Sequence, residues 1–67
     1  MQVRIGDYPQ LKLIAWNRRP TDVLDGEEAL ALYERNWRYV EQDELQADER
    51  SLIEHLVATY GHGVLHV

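Results

Sequence analysis

The chain has 67 residues and no cysteine, so disulfide bridges and cysteine-based zinc sites are excluded. Seven basic and twelve acidic side chains give a net charge of -5, a balance that disfavours a nucleic-acid backbone, whose affinity comes from Lys and Arg displacing counterions. A chain this short makes one domain, residues 1–67, which buries only about 60 % of its unfolded surface, so good packing or self-association has to supply the rest of its stability.

The opening MQVRIGDYPQ lacks the basic region and apolar run of a secretory signal. No apolar stretch approaches the roughly 20 residues that span a bilayer, and a soluble, cytoplasmic protein is expected. Residues 2–5 are a short extended candidate, closed by a turn at Gly6-Asp7-Tyr8-Pro9. Leu11 to Trp16 reads as the best strand: Leu11, Leu13 and Ala15 alternate with Lys12, Ile14 and Trp16, which puts the first set on a core face. Asn17 to Asp22 is a loop by composition, and its Arg18-Arg19 pair reads as a solvated turn that offsets nearby acids rather than as an anion contact.

Asp25 to Val40 predicts a helix, the element on which the rest of the chain leans. Asp25 and Glu28 have the spacing of a capping box, and Glu27 and Glu28 favour the positive end of the helix dipole. At 100° per residue Leu30, Tyr33, Trp37 and Val40 fall within an arc of roughly 80°, a core-facing stripe. Leu32, Arg35 and Tyr39 lie on the opposite side, with Asn36 beside them. They are the candidate partner-binding face, because Tyr and Arg are over-represented in protein interfaces.

A second helix begins after Asp43 or after Gln46, carries Leu45, Leu52, Leu56 and Tyr60 with Ile53 and Val57 beside them, and ends at Gly61, where a left-handed residue is expected. Val64 to Val67 reads as a terminal strand pairing with Leu11 to Trp16. The expected fold is therefore α+β: a small two-layer domain in the order strand, helix, helix, strand, with both helices on one face of a two- or three-stranded sheet. The expected core is Leu11, Leu13, Ala15, Leu30, Tyr33, Trp37, Leu52, Ile53, Leu56, Val57, Tyr60, Leu65 and Val67. Ile14, Trp16 and Val64 would then lie on the uncovered sheet face, a candidate surface for a homodimer.

Chemistry-bearing patterns are weak. His62 and His66 have a four-residue spacing familiar from metal ligands, but Gly61 and Gly63 argue against a helix there, and only His55 or Glu54 could complete a zinc site, so no metal is expected. The acids of residues 41–49 lack the spacing and mid-loop glycine of an EF-hand and read as a solvated turn. Ser51 and His55 are one helical turn apart, yet nothing supplies an oxyanion hole or a phosphate loop, and neither catalysis nor a cofactor is expected.

Two functions compete. The first is a non-catalytic protein-interaction module, a small regulatory or accessory protein binding an unidentified protein through Leu32, Arg35, Asn36 and Tyr39. The alternative follows from charge placement: residues 1–40 carry six basic and six acidic side chains, whereas residues 41–67 carry Arg50 against six acids. Such a segment could imitate a phosphate backbone and occupy a cationic groove as a decoy. A helix-turn-helix contact to DNA through Arg35 and Arg38 is disfavoured, since the second helix carries only Arg50.

Overall fold

A computed structural model describes all 67 residues. Three helices and a two-stranded antiparallel sheet follow one another as β1 (Gln2–Arg4), α1 (Pro9–Ile14), β2 (Val23–Asp25), α2 (Gly26–Arg35) and α3 (Ala47–Tyr60). Single turns of 3-10 helix lie at Ile5–Asp7, Trp37–Tyr39 and Gln42–Glu44. The α+β class holds, but the strand order and the sheet partners differ from expectation.

The extended candidate at residues 2–5 is β1, and its partner is β2, not Leu11 to Trp16. Val3 opposes Leu24 across the ladder and both are buried, while their neighbours on each strand face outward, as a period of two requires. Beyond the ladder the backbone stays paired: Ile5 N donates to Asp22 O and Gly6 N to Pro20 O. A Cβ on Gly6 would lie 2.8 Å from the Pro20 carbonyl oxygen, so this close approach needs glycine.

Leu11 to Trp16 is not a strand. Pro9 opens α1 at a position where its missing N–H is no loss, and Leu11, Ile14 and Ala15 are buried, spaced i, i+3 and i+4. Leu13 and Trp16, alternate partners in the strand reading, are both exposed. An apolar run this short satisfies periods of 2 and 3.6 almost equally, and Pro9 suits a helix start without deciding between them.

The helix expected over Asp25 to Val40 stops at Arg35. Asn36 is its C-cap: its backbone N–H makes the last helical bond, to the Leu32 carbonyl at 3.1 Å, and its side-chain amide donates to the same carbonyl at 3.0 Å, a local bond of the kind that competes with another helical turn. The capping box is not formed. Asp25 makes no side-chain cap hydrogen bond, and Glu28 instead accepts from Arg18 at 2.6 Å. Tyr33 is fully buried and Val40 buried, as the stripe implies, but Trp37 is only half-buried because it lies in the following turn.

The second helix starts after Gln46 and ends at Tyr60. Gly61 has φ -101°, and the left-handed residues come next, at His62 and Gly63. Gly63 N donates to Val57 O, closing the end of α3. Val64 to Val67 forms no strand, since the segment expected to pair with it is helical; Leu65 packs partly against the core and Val67 is exposed. No helix is long and apolar enough to cross a membrane.

The core gathers where α2 meets both other helices and both strands. This arrangement explains Leu32, expected on an outer face and found only 8 % exposed. With α1 packed on one flank of α2 and α3 on another, the helix has two buried sides instead of one.

Candidate functional site

Three features bear on function: a polar knot inside the core, an aromatic cleft on the surface, and an acidic segment.

The knot centres on Glu49, which is fully buried. It occupies the first turn of α3 in phase with Leu52, Ile53 and Leu56, so helical geometry carries it into the core. Its carboxylate reaches the start of α1: Gln10 N donates to Oε1 at 3.0 Å and Leu11 N to Oε2 at 2.9 Å. Tyr33 of α2 donates its hydroxyl to Oε2 at 2.6 Å. One side chain therefore caps one helix, anchors a second and belongs to a third. Gln10, also buried, extends the knot by accepting from Glu41 N at 2.8 Å. No buried side-chain polar atom lacks a hydrogen-bond partner. The Tyr33 phenol is pushed well above its ordinary range, first by burial and then by the Glu49 carboxylate it bonds, which opposes a phenolate. Both carboxylate oxygens of Glu49 and the Tyr33 hydroxyl are engaged by the chain itself, which marks the knot as structural.

The cleft lies where the ends of α1 and α2 meet. Leu13, Ile14 and Trp16 line it from α1 and the residues just after, Arg35 and Asn36 from the end of α2, and Arg38 and Tyr39 from the turn that follows, around an open volume of about 560 Å³. Trp16 is 83 % exposed and Tyr39 61 % exposed. The guanidinium of Arg38 sits 5.1 Å from the centre of the Tyr39 ring, within cation–π range. A second hollow, about 270 Å³, continues past Trp16 and Arg35 toward Arg18 and Glu28, with Leu32 at its floor.

Two sets of sequence-derived residues converge in this cleft. From the candidate partner face come Arg35, Asn36 and Tyr39; from the candidate self-association face come Ile14 and Trp16. Ile14 and Leu32 are almost fully buried and contribute support rather than accessible surface. Val64 is exposed after α3 and does not line the cleft. The uncovered sheet face that was to join Ile14, Trp16 and Val64 does not exist, because none of the three belongs to a strand. Leu13 and Arg38 complete the cleft and were not selected from sequence; a helical reading of Pro9 to Ile14 would have placed Leu13 outside.

The acidic segment is altered by the knot. Glu41, Asp43, Glu44, Asp48 and Glu54 are exposed, but Glu49 is withdrawn from the surface. The histidines are scattered: Nε2 of His55 lies 3.5 Å from the Thr59 hydroxyl rather than bonding Ser51, and His66 meets Glu34 through its backbone N–H at 2.8 Å. No three histidine or carboxylate side chains converge as a metal-binding group.

No protein family model, no curated protein and no solved structure matches this chain.

Proposed function

We propose that this chain is a non-catalytic protein-interaction module that holds a partner in the cleft between the ends of α1 and α2. The observation that carries this reading is the exposure of Trp16 beside Tyr39, Arg35 and Arg38 around an open volume of about 560 Å³. A small domain is short of buried apolar area, and a tryptophan left in water is most simply explained by a surface that covers it. Trp, Tyr and Arg are also the residues that carry most binding energy in protein interfaces. The volume falls in the range of pre-formed sites.

The test is the double variant Trp16→Ala, Tyr39→Ala. Both side chains are exposed, so the far-ultraviolet spectrum and the melting temperature should stay close to those of the parent. Recovery of the partner on the immobilised protein should be lost. Undiminished recovery by the double variant would remove the cleft from consideration.

A second reading draws support from the five exposed acids of residues 41–54: a decoy for a cationic groove. Trp16→Ala separates the two, because a decoy acting through residues 41–54 keeps its binding in that variant while a partner held in the cleft loses it.

A further inference from the structure

The cleft holds two guanidinium groups and no carboxylate. Arg35 and Arg38 form no ion pair, although the chain has twelve acids for seven bases. Two acids that line neighbouring hollows are already engaged: Glu28 by the Arg18 side chain at 2.6 Å, and Glu34 by the backbone N–H of His66. Arg35 also lines the second hollow and a third, bounded by Glu34, Trp37, Arg38 and Val67, so its charge sits where all three meet. The cleft is thus a cationic spot on a protein of net charge -5, walled by apolar and aromatic side chains.

From this complementarity we infer that the partner is a short acidic peptide segment with a large apolar residue at its centre. This rests on the reading of the cleft as the binding face. The apolar residue would seat between Leu13, Trp16 and Tyr39, and flanking aspartate or glutamate would meet Arg35 and Arg38, whose planar fork matches a carboxylate with two parallel hydrogen bonds. The stacking of Arg38 on the Tyr39 ring restrains its guanidinium at the rim, which lowers the entropy lost on binding. A single-stranded nucleic acid fits less well. Such strands follow a cationic track with successive stacking platforms, whereas two arginines make a spot.

Selection from a displayed library of random dodecapeptides on the full chain tests this. The expected outcome is enrichment of peptides with aspartate or glutamate on both sides of a leucine or aromatic residue. Binding should weaken at least tenfold for Trp16→Ala. The double reversal Arg35→Glu, Arg38→Glu should weaken it further and, on reselection, enrich basic peptides instead. Enrichment of neutral or basic peptides that still need Trp16 would overturn the acidic assignment and leave the cleft as the binding face. Enrichment indifferent to Trp16→Ala would overturn both. Failure to enrich any peptide, retention of a labelled single-stranded oligonucleotide in their place, or a concentration-dependent dimer that occludes Trp16 would likewise overturn the peptide assignment. Melting curves of each variant confirm that loss of binding is not loss of fold.

Discussion

The hydroxyl of Tyr33 donates a 2.6 Å hydrogen bond to the carboxylate of Glu49, and both side chains are completely removed from solvent. The same carboxylate accepts the backbone N–H groups of Gln10 and Leu11, so it serves three donors with two oxygens. An ionised carboxylate is the only common side chain of this size that accepts at both terminal atoms. Glutamine at this position keeps the shape but presents an NH2 group to one of the backbone donors.

Glu49→Gln is therefore expected to destabilise the fold by about 1–3 kcal/mol, the cost of a buried donor left without an acceptor. Glu49→Ala should cost about 3–5 kcal/mol, since it combines that loss with a missing helix cap and a cavity. The whole stability of a domain of this size is on the order of 3–10 kcal/mol. Urea denaturation followed by circular dichroism measures both, and a Glu49→Gln variant equal to the parent would show that Glu49 is not the acceptor described.

Tyr33 gives a prediction in pH. Its folded-state pKa lies above that of a free tyrosine, because burial and then the adjacent carboxylate both oppose the phenolate. Ionisation thus favours the unfolded chain: the stabilising contribution is complete below the ordinary tyrosine value of about 10 and is lost progressively as pH rises above it. Tyr33→Phe should cost about 1.5–3 kcal/mol at neutral pH, as a hydrogen bond to a charged group is lost, and should flatten the alkaline decline in stability. Denaturation midpoints measured at a series of pH values from neutral to strongly alkaline test it; parallel declines for parent and variant would contradict the assignment.

The two tryptophans should behave oppositely. Trp16 is 83 % exposed, and its replacement by Ala should change stability by no more than about 0.5 kcal/mol. Trp37 packs half-buried against the core, and Trp37→Ala should cost about 2 kcal/mol, less than the ~3–5 kcal/mol of a fully buried aromatic. In a Trp37→Phe background the remaining emission should be red-shifted and strongly quenched by iodide. A blue, protected emission there would place Trp16 inside.

Leu13 and Ile14 separate the helical from the extended description of their segment. On α1, Ile14 is buried and Leu13 exposed, so Ile14→Ala should cost about 2–4 kcal/mol and Leu13→Ala less than about 0.5 kcal/mol. A strand would reverse that order, because Leu11 and Leu13 would then share the core face.

The same segment shows where sequence reasoning runs out. Long periodic elements were legible: α3 ends at Tyr60 as read, and Leu30, Tyr33, Leu52 and Leu56 are core. Leu11 to Trp16 was not, because six residues fit both periods and the chemistry that chooses between them, the cap supplied by Glu49, comes from 38 positions further along. The pairing of β1 with β2 was hidden for a related reason: β2 has only three residues, between a loop that ends at Asp22 and a helix start read at Asp25, too few to show a period of their own. Glu49 itself read as one acid in an acidic run, although its phase with Leu52, Ile53 and Leu56 already pointed inward. At the cleft, Arg35, Asn36 and Tyr39 were selected on residue type, whereas their meeting with Trp16 depends on how α1 packs on α2.

The dependence of α1 on Glu49 also bears on the order in which the chain is made. Six residues are too few to hold a helix unaided in water, and two of the first N–H groups of α1 find their acceptor only on α3. As the chain leaves the ribosome, Leu13 and Trp16 emerge well before Glu49, and until it follows they belong to an uncapped, fluctuating segment. The wall of the cleft that carries Trp16 is thus completed only once α3 has been made, so the surface proposed to read a partner does not exist on the N-terminal segment alone.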